Sequence, residues 1–267
     1  MRLALGLSYR GQGYQGWQSQ VGGNTVQDRV ESALSRFAAQ PIRTLCAGRT
    51  DAGVHALNQV IHIDCDIERA SISWVRGTNR YLPADIAVQW CQVVSAEFHA
   101  RNSALGRRYA YVLREAVVRP AVEAGLVGWV FRPLDLATLQ AASAVLMGEH
   151  DFSAFRSAEC QARSPVKTLR SIDISRRGAY WRFDFEANAF LHHMVRNLMG
   201  CLTAVGAGTR DVAWLAGVLA SGERRLCAPT FPADGLYFVG PYYDPVHAIP
   251  ERPTAIDWLP GSTPLLS

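Results

Sequence analysis

No apolar run in this chain approaches the roughly 20 residues that a membrane-spanning helix requires, so no membrane partner is expected. None of the six cysteines (Cys46, Cys65, Cys91, Cys160, Cys201 and Cys227) belongs to a C-x-x-C pair. That removes the usual spacing of a zinc ribbon or a dithiol redox centre, and scattered thiols read as free cysteines of a reducing compartment. G-x-S-x-G, Walker A and H-E-x-x-H are all missing, which removes the commonest serine-hydrolase, nucleotide-hydrolase and zinc-protease readings. A strong excess of one charge is missing too: 27 Lys and Arg stand against 23 Asp and Glu, a net charge of +4. Such a balance permits a polyanionic partner without demanding one. Met1–Tyr9 alternates apolar with small or polar residues, the pattern of a strand and not of a secretory signal. A cytoplasmic location is the expectation.

What is present suffices for a core. In 267 residues, 49% are hydrophobic and 19% charged, enough for one large domain or two of ordinary size. Leu3, Leu5, Leu7 and Tyr9 fall on one face of a first strand. A glycine-rich loop, Gly11 to Gly23, leads to Asn24 or Thr25 as the cap of a helix with Val26, Val30, Ala33, Leu34 and Phe37 at helical spacing. Ile42–Ala47 and Val60–Ile63 read as strands, Ser73–Tyr81 as a short helix and Ile86–Val94 as a further strand. This is the β-α-β-β-α-β order of ferredoxin-like folds. After a polar stretch, Ser95–Arg108, strands at Tyr109–Leu113, Tyr180–Glu186 and Leu236–Val239 alternate with helices around Leu136–Leu146, Leu191–Val205 and Val212–Leu219. The expected fold class is α+β, with two ferredoxin-like or RRM-like halves, each with a mostly antiparallel sheet, around a central cleft. The halves are expected at 1–104 and 105–245, with a Pro-rich tail at 246–267.

Two motifs that look chemical are set aside. Gly11-Gln12-Gly13-Tyr14-Gln15-Gly16 matches G-x-G-x-x-G, but the helix that should receive a pyrophosphate opens many residues later. The glycine stretch reads as a flexible loop, with Tyr14 and Trp17 free to touch a ligand. His192 and His193 fall within the expected helix Leu191–Val205, where adjacent residues point to different faces, so no metal site is expected from them.

The densest chemical signal is Gly48-Arg49-Thr50-Asp51-Ala52-Gly53-Val54-His55-Ala56, between two expected strands. Asp51 is its only carboxylate, with Arg49 two residues before it. A nearby cation favours the ionised form, making Asp51 a ready nucleophile or base, and the flanking glycines let the backbone turn and approach a ligand closely. Basic residues also cluster with aromatics: Phe98-His99-Ala100-Arg101, Arg107-Arg108-Tyr109, then Phe152, Phe155 and Arg156, and later Arg163, Lys167 and Arg170. Cations on phosphates and rings under splayed bases are the means of gripping RNA, so an RNA cleft is expected.

The run GRTDAGVHA resembles the signature of the tRNA pseudouridine synthase A family, and the resemblance covers nearly the whole chain. Tyr14–Gln18 with Thr25-Val26-Gln27 is similar to that family's opening loop and helix. Phe98–Arg101 with Arg107–Tyr109, Phe190–Asn197, and Gly235-Leu236-Tyr237 resemble its later motifs. Two departures are Arg10, where an acidic residue is frequent, and Phe231, where a small Ala is common. The resemblance implies conversion of uridine to pseudouridine at positions 38, 39 and 40 of the anticodon stem-loop of tRNA, by a homodimer that needs no cofactor or metal. It implies Asp51 as nucleophile, Arg196 as its partner, and Tyr109 stacked on the base and assisting proton removal. Arg49 would help flip the uridine and Leu236 would pack the base from below. Arg101, Arg107 and Arg108 complete the expected substrate contacts.

Three routes are open to such a carboxylate: addition to C6 of the ring, attack on the sugar at C1′, or action as a base at C2′ through a glycal. Two other function classes remain distinguishable. A non-catalytic RNA-binding protein would need stacking aromatics but no Asp51–Arg196 pair. A nucleoside or glycoside hydrolase would need a second carboxylate near Asp51.

Overall fold

The computed structural model describes residues 1–250, so most of the expected tail, 251–267, lies outside the described residues. The first half runs β1 (Arg2–Tyr9), α1 (Val26–Ala38), β2 (Leu45–Cys46), β3 (His55–Asp64), α2 (Ser71–Asn79) and β4 (Ile86–Val94). The second runs β5 (Ala104–Glu115), β6 (Gly128–Val130), α3 (Leu136–Leu146), β7 (Gly148–Asp151), β8 (Val166–Arg177), β9 (Tyr180–Ala187), α4 (Met194–Gly206), α5 (Val212–Ser221) and β10 (Leu236–Tyr243). Thr25 caps α1 by accepting from the Asp28 amide, and Asp135 and Asp211 do the same for α3 and α5. Gly222 closes α5 at φ +65°. Among the described residues, no helix is long and apolar enough to cross a membrane.

The sequence suggests a separate sheet in each half, but the strands form one ten-stranded sheet, in the order β4-β1-β3-β10-β5-β9-β8-β7 with β2 beside β3 and β6 beside β5. The reason lies in β3. Its last residues pair with the two-residue β2 (Leu45 with His62, Cys46 with Ile61), which leaves its first residues with an open edge. An open edge carries unpaired amides and carbonyls. β10 fills it, pairing parallel through Tyr237 with His55 and Phe238 with Ala56, while its other edge runs antiparallel to β5. β10, the last strand among the described residues, thereby welds the two halves. β8, absent from the expected strands, buries only Leu169 fully and packs Ile172 and Ile174 half-buried against the α3–α5 side of the core.

Among the described residues, the five α-helices pack on one face of the sheet, in two layers. α1 and α2 cover Leu3, Leu5, Leu7, Ile61, Ile63 and Phe238. α3, α4 and α5 cover Tyr111, Leu113, Phe183, Phe185 and Leu236. Because side chains alternate along a strand, Tyr237 and Val239 face the other way and join Ala110, Val112 and Val127 beneath the loop before β6. Tyr109 is the sheet residue that touches both helical layers, which marks the line where they part.

Candidate active site

Asp51 lies on that line, in the loop between β2 and β3. Its carbonyl accepts from Val54 N at 3.1 Å, a tight turn that Gly53 permits at φ +83°. The neighbouring Thr50 hydroxyl bonds the Tyr9 hydroxyl at 2.8 Å, and its carbonyl accepts from Trp17 N at 3.0 Å. The glycine-rich stretch is the bed on which this loop rests. A Cβ on Gly11 would stand 1.9 Å from the Val54 carbonyl oxygen, and one on Gly16 (φ +84°) would stand 2.6 Å from that of Thr50. The stretch is therefore not a free loop. Trp17 is buried in the α1–α2 core, and the Tyr14 hydroxyl donates to Asp85 at 2.6 Å, so neither ring is offered to a ligand. His55 secures the far end: its Nδ1 accepts from Gly11 N and its Nε2 lies 3.1 Å from the Asp234 carbonyl oxygen just before β10. Burial holds the His55 pKa below the usual histidine range, as a ring that accepts through one nitrogen and donates through the other requires.

Three basic side chains converge on the Asp51 carboxylate. Arg196, in the first turn of α4, brings Nη1 to 3.4 Å from Oδ2 and is braced by donating from Nε to the Phe231 carbonyl at 2.8 Å. His192 Nε2 lies 3.3 Å from Oδ1, and His193 Nε2 lies 3.5 Å from Oδ2. Periodicity predicts the two histidines on different faces of a helix, and that expectation is corrected. The helix begins only at Met194, and His193 adopts a left-handed conformation, φ +63°, that turns both rings onto Asp51. The rings sit 4.1 Å apart. Their positions are set from behind by Ser157 N donating to the His192 carbonyl at 3.0 Å and by His192 N donating to Cys160 Sγ at 3.4 Å. These two histidines are functional candidates that helical periodicity misplaces. A boundary shift of three residues decides which way they point.

Burial pushes the Asp51 carboxyl up, but the His192 hydrogen bond and the charges of His193, His192 and Arg196 outweigh it and hold it below the usual carboxylate range. The same bond to Asp51 raises His192, whereas burial lowers His193. Among the described residues, the charged partners within 4.0 Å of Asp51 are all basic. Among the described residues, Asp51, His192 and His193 also form a cluster whose donor atoms, all within 4.8 Å of one another, have the make-up of a metal site.

The Tyr109 ring lies against Phe190 (centroids 5.1 Å, 83°) and Phe238 (5.0 Å). Burial first, then the Asp51 charge, push its phenol far above the usual tyrosine range, so it is present as a neutral hydroxyl. Arg107 shares its face of β5, but its guanidinium donates to the carbonyls of Ala47, Arg101, Asn188 and Ala104. Arg108, one residue on, faces the opposite side of the sheet over the Tyr242 ring, away from Asp51. Leu236 is 4% exposed in the α3–α5 core. Arg49 and Arg101 are exposed. Phe98, Phe152 and Phe155 are core residues at 0% exposure, so the aromatics expected to receive bases in those clusters cannot stack on RNA. Asn197, buried beneath Arg196, donates to the Phe155 carbonyl and accepts from Thr230 and Arg224, a brace for α4 that carries no sequence signal of its own.

A family model described as tRNA pseudouridine synthase matches residues 142–244. The tRNA pseudouridine synthase A of Methylibium petroleiphilum is 73% identical over 260 residues, covering 97% of this chain and 100% of its own. The chain belongs to the tRNA pseudouridine synthase A family. The protein of the same name from Polaromonas naphthalenivorans is 62% identical over 264 residues, and that of Paracidovorax citrulli 58% over 278, with the same coverage of each chain. The family model reaches Arg196 and Leu236 but begins beyond the Asp51 loop. The near-full-length synthase relatives extend the membership over both halves.

Proposed function

We propose that Asp51 is the nucleophile with which this synthase acts on uridines 38, 39 and 40 in the anticodon stem-loop of transfer RNA. The protein is an isomerase that converts uridine of transfer RNA to pseudouridine. The observation that carries Asp51 is its setting: one carboxylate, kept ionised by three basic side chains, in a solvent-reached cleft where two helical layers part. The N1–C1′ bond must break, the uracil must turn, and C5 must join C1′. C5 loses a proton and N1 gains one, so atoms balance without an added oxidant or group donor, and no cofactor is called for. The carboxylate acts at C6, at C1′ or at C2′. Arg196 keeps it charged once RNA has closed the cleft to water. Tyr109, a neutral phenol, supports the base as a flat neighbour and hydrogen-bond donor, with bound water the better acceptor for the C5 proton. Arg49 holds the backbone of the extruded uridine, and Arg101 meets phosphate. Leu236 backs the base through the core wall. Arg107 acts by fixing the loops before β5. Arg108 touches the substrate only if RNA or a second copy reaches the opposite face.

Each half is read as one ferredoxin-like unit, 1–104 and 105–245, since the strand orders β4-β1-β3-β2 and β10-β5-β9-β8 correspond. A homodimer and a cytoplasmic location complete the reading. The experiment is tritium release from transfer RNA carrying C5-labelled uridine. Wild type is expected to release it. Asp51→Ala is expected to release none while binding RNA within about tenfold of wild type, since phosphate contacts dominate affinity. Turnover by Asp51→Ala would refute the assignment and leave an RNA-binding role for the loop.

A further inference from the structure

We propose that, when no RNA is bound, the Asp51 carboxylate and the Nε2 atoms of His192 and His193 form a site for a borderline divalent cation of the Zn2+ class. Metal and target uridine exclude each other there. The donor set is two imidazoles and one carboxylate, the make-up of open zinc sites. The separations are informative. His192 Nε2 and His193 Nε2 approach Asp51 to 3.3 and 3.5 Å. These distances match the edge of a tetrahedron of zinc ligands, about 3.3–3.5 Å for metal–ligand bonds of about 2.0–2.1 Å. All three donor atoms lie within 4.8 Å of one another, and each side chain is 20–33% exposed, so a hydrated ion can reach them.

The backbone supports the same conclusion. His193 occupies the N-cap position of α4 at φ +63°, a conformation unfavourable for a residue with a Cβ, and its side chain makes no capping bond. The turn that forgoes the cap is the one that brings both rings to one carboxylate. The bonds from Ser157 and to Cys160 fix the His192 backbone independently of any ion. Arg196 shares Oδ2 with His193, yet its separate anchor on the Phe231 carbonyl lets it give up the Nη1 contact without leaving its place. A carboxylate bound to metal cannot serve as nucleophile, so the ion inhibits. This exclusion rests on the reading of Asp51 as the reacting group, whereas the binding does not.

The test uses the full chain free of RNA, titrated with Co2+ and read by visible absorption, then with Zn2+ as competitor. One equivalent of Co2+ should develop the intense bands of low coordination number, and Zn2+ should abolish them. Asp51→Asn, His192→Gln and His193→Gln should each weaken Zn2+ binding by at least about tenfold. His99→Gln, in the separate His62–His99 pair, should leave it unchanged, and circular dichroism checks each variant's fold. Equal binding by wild type and all three Asp51-site variants, or loss in His99→Gln alone, overturns the site. Addition of transfer RNA should release the metal. Metal retained alongside bound RNA, in a site that passes the variant test, overturns the exclusion while leaving the tritium-release test of Asp51 untouched.

Discussion

At the scale of single residues, burial and charge oppose each other, and the winner sets the chemistry. For Asp51 the surrounding cations win and the carboxylate stays charged. For His62 burial wins. It is 2% exposed, its Nδ1 accepts from Ala100 N at 3.1 Å, and burial, followed by the charges of Arg2 and His99, depresses its pKa to about 4. The unfolded chain takes up this proton near pH 6.5 and the folded chain only near pH 4. In that window the unfolded state binds more protons, so stability falls as pH falls. Urea melts of wild type from pH 7 to 4 should show this loss, and His62→Gln should flatten it. An unchanged slope would remove His62 as its source.

At the scale of elements, a loop that reads as free turns out to be a support. Gly16 is needed both for φ +84° and for its approach to the Thr50 carbonyl, whereas a Cβ on Gly13 would meet nothing within 4 Å. Gly16→Ala should therefore destabilise the fold by about 1–3 kcal/mol. It should also slow single turnover by more than about tenfold, because the Asp51 loop rests on it and sub-ångström misplacement of a reacting group is costly. Gly13→Ala should stay within about 0.5 kcal/mol of wild type. Equal effects of the two in denaturant melts and rate measurements would show that the stretch does not support the loop. α4 teaches the same lesson at its start: three residues of difference in where a helix begins decide whether two histidines diverge or meet.

At the scale of the whole molecule, the modest net charge of +4 leaves RNA affinity to local clusters. Arg101 is exposed, while Arg107 spends its donors on backbone carbonyls. Filter binding of transfer RNA across a salt series should show the slope of log affinity against log salt shrink by about 1 in Arg101→Ala. In Arg107→Ala the slope should hold while unfolding costs about 1–3 kcal/mol less, since the half-buried carbonyls of Ala47, Ala104 and Asn188 lose their donor. The reverse pattern would make Arg107 the phosphate contact.

Much of this protein is legible from local pattern. The Asp51 loop stands between two strands, the cap of α1 falls on Thr25, one of the two residues the sequence offers for it, and β4 has the bounds its apolar pattern predicts, because turn chemistry and apolar period are written in neighbouring residues. The family, too, follows from contiguous motifs. Tertiary structure alone decided the rest. It joined the halves into one sheet, since filling the open edge of β3 with β10 brings together residues about 180 positions apart, beyond any local period. It sent Arg107 and Arg108 to opposite faces and made the glycine loop a bed. It turned His192 and His193 onto Asp51 because a left-handed residue at the start of α4, braced by Ser157 and Cys160, overrode the helical periodicity of the sequence.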